Sequence, residues 1–579
     1  MSMIPRPEHP FPQMERENWL NLNGDWDFAF DFGKSGRDRE FYKNGEYTEK
    51  IVVPFCLESK LSGIEYKDFI PAVWYRRWVE LSEEQLNGTV LLHFGAVDYL
   101  AVVYINGEEV GTHEGGYSSF SFDVTKYLKE GKNEIVVYAE DDTCSGYQPK
   151  GKQSSKYYSN ICDYTRTTGI WQTVWLECMP KSYIKNVKYY PDINNGMIHI
   201  AADIVGMGML SVKAYYEGKL CGSCDTVVTK ASCGNVRLAL GLKEIHLWEA
   251  GNGRLYDIEL ALANGNECDK VKSYAGLREV RLDGYRFLLN GKSVFQRTVL
   301  DQGFYIDGIY TAPTEEDLIN DIKISMGLGF NGARLHQKMF EPRFLYHCDK
   351  MGYFVWGEHA NWGLDLSNPA ALHAFMKEWL EGIDRDFNHS SIIGWCPFNE
   401  TWDYEGRKQY DDTLRLIYRM TKQLDNTRPC IDTSGNYHVE TDIYDVHNYH
   451  QDVKLFVSHY EAFKTGGAFL DEHTHRQHYT EGLPVFVSEY GGIKWDEVNT
   501  NKSAWGYGEA PKTKEEFIER YKGLTECLLS HPRIMGFCYT QLYDIEQEVN
   551  GLYTYDRKPK FDPEIFKAIN EQPAAIEKE

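Results

Sequence analysis

Ile392-Ile393-Gly394-Trp395-Cys396-Pro397-Phe398-Asn399-Glu400-Thr401-Trp402 is an apolar run that ends abruptly in Asn-Glu. Such a run reads as a buried strand whose last residues reach a polar site. Pro484-Val485-Phe486-Val487-Ser488-Glu489-Tyr490-Gly491-Gly492 has the same grammar: Val and Phe, then a single Glu, then Gly. One Glu at a strand end commonly caps a helix or pairs with a basic residue, since ionised side chains are seldom buried alone. Two of them, each closing a buried-type strand, are what the C-terminal face of a parallel barrel presents. Such a pair can cleave a glycosidic bond with retention, one carboxyl protonating the leaving oxygen and the other attacking the sugar carbon. Glu400 reads as the acid/base and Glu489 as the nucleophile. In that scheme Glu489 is ionised and Glu400 holds a proton near neutral pH.

Working outward, residues 279–579 alternate strand and helix patterns. Strands are expected at Phe295–Leu300, Phe330–Leu335, Tyr353–Trp356, Ile392–Phe398, Cys430–Thr433, Ile443–Val446, Val485–Ser488 and Ile534–Tyr539. A helix is expected to open at Thr314-Glu315-Glu316-Asp317, with Thr314 as N-cap and acidic residues in the first turn, and others at 341–350, 370–387, 405–424, 514–529 and 563–570. Eight units in this length fit a catalytic (β/α)8 TIM barrel.

Residues 1–182 read as all-β. Leu22-Asn23-Gly24-Asp25-Trp26-Asp27-Phe28-Ala29-Phe30 alternates like a strand after an Asn-Gly turn, and further short strands follow. A sugar-binding-like, jelly-roll-like β-sandwich is expected. Asp141 to Thr168 is a long polar segment without strand pattern, a length that is usually functional or disordered. Residues 183–278 hold enough short strands for one immunoglobulin-like β-sandwich, without candidate chemistry and suited to spacing and assembly. The expected fold is thus multidomain, two β-sandwiches followed by an α/β barrel.

The 579 residues include 40 Tyr and 14 Trp, which suits sugar stacking as well as a β-rich core. A formal charge of −24 repels phosphates and anionic membranes, so neither nucleic acid nor membrane is expected as partner. No apolar run reaches the roughly 20 residues of a membrane span. Met1-Ser2-Met3-Ile4-Pro5-Arg6-Pro7 shows no signal-peptide apolar region, and the 13 cysteines are odd in number and scattered. A cytoplasmic protein with reduced thiols is expected, acting on a carbohydrate as a homo-oligomer and without cofactor. Glu472-His473-Thr474-His475-Arg476-Gln477-His478 is ligand-rich but lacks a defined tetrahedral set, so no metal is expected. Trp495 and Trp505 suit stacking on sugar or aglycone, with core packing the equal alternative.

With these residues in view, the chain resembles glycoside hydrolase family 2, the β-galactosidase, β-glucuronidase and β-mannosidase family. The resemblance runs over nearly the whole chain. It includes Asn23-Gly24-Asp25-Trp26, Gly169-Ile170-Trp171-Gln172-Thr173-Val174-Trp175-Leu176, Phe398-Asn399-Glu400 and Ser488-Glu489-Tyr490-Gly491. It implies the same roles for Glu400 and Glu489. It further implies that Asn399 holds a sugar hydroxyl, that Arg334 lies near the nucleophile, that Tyr449 hydrogen-bonds it, and that Asp163 reaches from the first sandwich into the barrel mouth. His447 follows the sixth strand beside Tyr449. His336 is a plausible sugar ligand, shifted by one position from the family's pattern. Where the family presents a Trp on the eighth strand, the nearest residues here are Tyr539 and Gln541.

β-Glucuronidases carry an Asn-x-Lys pair that grips the uronate, and here the positions read Glu548-Val549-Asn550. An anion at Glu548 repels a carboxylate. The expected activity is therefore retaining exo-β-glycosidase action on neutral sugars, foremost β-galactosides. The alternatives are a β-glucuronidase or galacturonidase using Lys338 or Lys502, an arabinosidase, or a non-catalytic carbohydrate-binding protein. The presence of both glutamates argues against the last.

Overall fold

The computed structural model describes residues 4–232, 234–401, 409–467, 476–477, 479–496 and 503–578. Eight barrel strands follow one another: Gln296–Asp301, Gly332–Leu335, Phe354–Glu358, Ile392–Cys396 with its continuation Phe398–Asn399, Thr433–Ser434, Tyr444–Asn448, Val485–Gly491 and Ile534–Thr540. The first pairs in parallel with both the second and the eighth, so the sheet curls back on itself. Phe398–Asn399 pairs with the fifth strand, and the sixth with the seventh. These strands are buried on both faces, outside by helices and inside by one another's side chains, which is why they read as unbroken apolar runs.

Helices Glu315–Gly327, Pro342–Met351, Pro369–Asp386, Asp411–Leu424, Lys514–Leu529 and Pro563–Asn570 lie where periodicity places them. Residues 405–408, the expected start of the fourth, lie outside the described residues. Thr314 and Asp317 form a reciprocal capping box: the Asp317 carboxylate accepts from Thr314 N at 2.9 Å and Thr314 Oγ1 from Asp317 N at 3.3 Å. A helix over Val453–Glu461 was not expected. It has nine residues, about two and a half turns, too few for a clear period.

Ahead of the barrel, a four-stranded and a six-stranded antiparallel sheet enclose one core that includes Trp26, Phe28, Tyr75, Leu92 and Val137. Three- and four-stranded sheets then enclose a second core around Ile198, Val212 and Leu260. The second sandwich holds the barrel where strands begin. Tyr274 Oη donates to Asp349 Oδ2 at 2.8 Å, Trp248 Nε1 to Asp349 O at 2.7 Å, and Arg278 to the carbonyls of Ser390 and Ile392. The first sandwich reaches the opposite end through residues 141–168, which contain no regular strand. Lys150 N donates to Trp362 O at 2.9 Å, beyond the third strand, and Gln547 Nε2 donates to Asp163 O at 3.1 Å, beyond the eighth. Gly151 has φ +56, and a Cβ there would lie 2.4 Å from Gln337 O, so only glycine lets the loop approach this closely.

No described helix is long and apolar enough to cross a membrane, and each described cysteine is free.

Candidate active site

Glu400 and Glu489 close the fourth and seventh strands, and both face the barrel axis. Glu400 has φ +46, a left-handed conformation unusual for a non-glycine residue, and its N–H donates to Ser434 O at 2.9 Å. Backbone held in such a region is characteristic of functional sites. Glu489 is gripped from two sides. Arg334 Nη1 donates to its Oε1 at 3.1 Å, and the Tyr449 hydroxyl donates to its Oε2. The ring of Tyr449 stacks on Tyr507 at 3.5 Å between centroids. Arg334 is fully buried and uses four of its five N–H groups: it also donates to Glu358 Oε1 at 2.6 Å, Ser488 O at 2.9 Å and Asn399 Oδ1 at 3.1 Å.

His447 stands between the two carboxylates. Its Nδ1 lies 2.7 Å from Glu400 Oε1 and its Nε2 3.4 Å from Glu489 Oε1. One ligand-type atom from each of the three lies within 4.8 Å of the others. The 2.7 Å contact between His447 Nδ1 and Glu400 Oε1 has the length of a charge-assisted hydrogen bond. The expected ligand-rich residues His473, His475 and His478 lie outside the described residues, as does Lys502.

The electrostatics differ from the expectation that Glu400 itself holds the proton. Burial pushes Glu400 up, but the hydrogen bond and charge of His447, followed by Lys152 and Arg334, outweigh it and hold the carboxyl below its ordinary range. Burial pulls His447 down, but Glu489 and Glu400 lift it above an ordinary histidine. The two shifts run in opposite directions, so the pair favours a charged ring beside an ionised carboxylate.

His336 lies against Glu358, Nδ1 to Oε2 at 3.2 Å. Burial, then the charge of Lys152, lowers it well below an ordinary histidine, so it is neutral. With Nδ1–H turned to Glu358, its Nε2 is an acceptor. Asn399 gives Oδ1 to Arg334, and its Nδ2 has no partner among the described residues.

Tyr539 is not in the site. It is fully buried and packs on Tyr490 and on Tyr521 of the helix Lys514–Leu529. Side chains alternate along a strand, so Thr540 faces inward instead, with Oγ1 3.0 Å from Tyr449 Oη. Gln541 belongs to a buried polar wall beside the site. Its Oε1 accepts from Gln302 Nε2 at 2.6 Å and its Nε2 donates to Asn550 Oδ1 at 2.9 Å. Glu548 continues that wall, accepting from Tyr164 Oη and, at 2.9 Å, from Asn550 Nδ2.

Asp163 lies on the first sandwich's loop at the barrel mouth, but its Oδ1 is paired with Lys150 Nζ at 3.1 Å. The loop residue coupled to the glutamates is Lys152, which the sequence did not single out. Its ammonium lies 3.7 Å from the Trp362 ring centroid and has no hydrogen bond among the described residues. Burial lowers Lys152, yet the field of Cys162, Glu548, Glu400 and Glu489 lifts it above an ordinary lysine. Lys338 is committed elsewhere: its Nζ donates to Gly303 O at 2.5 Å and Tyr310 O at 2.8 Å, and burial lowers it to about 7. Trp495 packs on Phe517 and Phe561, whereas Trp505 lies edge-on to Tyr507.

A barrel with paired glutamates on its fourth and seventh strands, preceded by two sandwiches, defines a class. The chain belongs to glycosyl hydrolases family 2. The family's sugar-binding domain matches residues 20–180, its second domain 182–278 and its TIM barrel domain 280–571. A beta-galactosidase from Clostridium acetobutylicum is 24% identical over 449 residues, 69% of this chain and 47% of that one. A beta-glucuronidase from Felis catus is 24% identical over 540 residues, 83% of this chain and 78% of that one. The chain spans 60%, 47% and 48% of the lengths of three curated relatives it matches. The solved beta-glucuronidase of Ruminococcus gnavus in complex with N1-substituted uronic isofagomine shares the fold. Its TM-score is 0.80 at 19% identity, over 96% of this chain and 99% of that one.

Proposed function

We propose that this chain is a retaining exo-β-glycosidase. Glu489 attacks the anomeric carbon while Glu400 protonates the glycosidic oxygen; Glu400 then takes a proton from the water that releases the sugar. The observation that carries this reading is the close approach of the two carboxylates, with oxygens within 4.8 Å. That matches the roughly 5–5.5 Å of retaining pairs and leaves no room for the water that inverting enzymes hold between theirs. Arg334 and Tyr449 keep Glu489 aimed, and Asn399 Nδ2, which has no partner among the described residues, and the acceptor on His336 supply contacts for glycone hydroxyls. The loop 141–168 lies across the barrel mouth, which favours cleavage from a chain end.

The glycone read first is a neutral hexose of the β-galactoside kind. Glu548, held by Tyr164 and Asn550, keeps lone pairs for hydroxyls and disfavours a second carboxylate. A β-uronide is the second reading, favoured by the ammonium of Lys152, which has no hydrogen bond among the described residues, and by relatives named beta-glucuronidase. Nitrophenyl β-glycosides separate them: a hexoside should be the best substrate, and a glucuronide or galacturonide turned over at least as fast would transfer the assignment to uronides.

The roles of the glutamates have their own test. Azide should rescue Glu400→Ala and give a β-glycosyl azide, because the glycosyl-enzyme on Glu489 is then intercepted from the retained face. An α-azide from that variant would overturn the assignment.

A further inference from the structure

We infer that His447 is a positioning residue that stores the proton Glu400 delivers, so that the two share one proton through the catalytic cycle. This rests on the reading of Glu400 as acid/base, and it follows from what surrounds the ring. Nδ1 faces Glu400 Oε1 at 2.7 Å, and Nε2 faces Ser434 Oγ at 3.0 Å. Ser434 has no proton to offer the ring, because its hydroxyl donates to Asp445 Oδ2 at 2.6 Å. Ser488 Oγ, 3.1 Å from Ser434 Oγ, donates to the same Asp445 oxygen. Two oxygens 2.6 Å apart need a proton between them. Asp445 does not supply it: burial pushes its carboxyl up, but His438, His447 and Ser434 bring it down to about 2. Both ring nitrogens of His447 therefore face acceptors, and an imidazolium satisfies both.

The other charged groups around the ring agree. From the seventh strand, Glu489 Oε1 is 3.4 Å from Nε2. Arg334 opposes the ring's charge from the second strand, but it is itself neutralised by Glu358 and Glu489. His336, on the same side, is neutral. Lys152 opposes from the loop, in the field of Glu548, Glu400 and Glu489. Gly435 packs directly on the imidazole, and a Cβ there would lie 2.2 Å from it, which holds the ring in place.

The cycle balances on this pair. The proton passes from Nδ1 to the Glu400 carboxylate, whose carboxyl turns to present it to the glycosidic oxygen. The anomeric C–O bond breaks, its electron pair goes to the leaving oxygen as that oxygen takes the proton, and Glu489 forms the new C–O bond. Glu489 has then lost its charge. Water next attacks the anomeric carbon, the electron pair of the ester C–O bond returns to Glu489, and Glu400 takes the water's proton and hands it back to Nδ1.

The test compares His447→Gln with the wild-type chain on two aryl or alkyl β-glycosides of the preferred glycone. One has a leaving group that needs a proton; the other carries 2,4-dinitrophenolate, which does not. We expect a fall in kcat/KM of about 10²-fold on the first, in the range of general acid catalysis, and under about 5-fold on the second. The alkaline limb of the pH profile should move down by about one unit or more, since the proton is then held by Glu400 alone. An unmoved limb, or equal losses on both substrates, would overturn the inference. A second readout needs no turnover. In 15N-histidine-labelled protein, His447 should be doubly protonated at pH 7 and should lose a proton at lower pH in Glu400→Gln than in wild type. Its signal is assigned by its loss in His447→Gln or, if that variant does not fold, by its shift in Glu400→Gln. A neutral ring at pH 7 would overturn the inference. A wild-type chain that cleaves no β-glycoside but carries the imidazolium would instead overturn the proposed activity and leave the proton assignment standing.

Discussion

The second sandwich meets the barrel where its strands begin, and the first meets it where they end. Tyr274, Trp248 and Arg278 hold Asp349, which precedes the third strand, and Ser390 and Ile392, where the fourth begins. The loop 141–168 holds Trp362, Glu546, Gln547 and Glu548, which follow the third and eighth. Both sandwiches are built from similar alternating strands, so the regular sheets do not account for the difference. It lies in one segment without regular strands, which places Lys152, Asp163 and Tyr164 at the end of the barrel that carries Glu400 and Glu489. In barrels of this kind the strand-start face serves stability and the strand-end face chemistry.

The largest effect expected from breaking this contrast is on stability. Arg16 clamps the two sandwiches together, with Nη1 2.8 Å from Glu177 and Nε 2.9 Å from Asp269, all three buried. Arg16→Met takes the arginine from Asp269 and leaves Glu177 to His9 and His93, and should cost about 3–5 kcal/mol in urea unfolding, with kcat at 25 °C unchanged. The pH dependence has a definite sign. Burial raises Glu177, but His9, His93 and Arg16 bring it down to about 2 from an ordinary 4.5. Its contribution is complete above 4.5 and fades as pH falls towards 2, and the variant should show a shallower loss over that window. A change in kcat with intact stability would mean that the junction of the sandwiches governs the barrel mouth.

The next effect falls on substrate choice. Lys152→Met should leave the melting temperature within a few degrees. It should reduce kcat/KM for a β-uronide by about 10²-fold or more, the scale of losing one partner of a desolvated charge pair, and change neutral hexosides far less. Equal losses on both substrates would make Lys152 a partner of the glutamates rather than a reader of the sugar.

Asp163 should matter least. Its carboxylate already has Lys150, so Asp163→Ala should loosen the loop and lower kcat/KM by about tenfold, or about 1.4 kcal/mol. A loss of 10²-fold or more, partly recovered by Asp163→Asn, would instead place Asp163 on the sugar.

The sequence by itself determined the multidomain order, the barrel and the positions of Glu400 and Glu489. Apolar runs buried on both faces are unmistakable, and a carboxylate that ends one stands out against it. The same property concealed Tyr539: in Ile534-Met535-Gly536-Phe537-Cys538-Tyr539 no polar alternation marks the inner face, so only the curled sheet turns Thr540 inward and Tyr539 into the helix layer. Tertiary structure also decided the loop, since spacing within residues 141–168 does not reveal that Lys150 takes Asp163 while the ammonium of Lys152 lies over the Trp362 ring. It decided the surroundings of His447 as well. His447, Glu400, Ser434 and Glu489 come from four different strands, and a proton settles according to the charges within a few ångströms, which separation along the chain does not record.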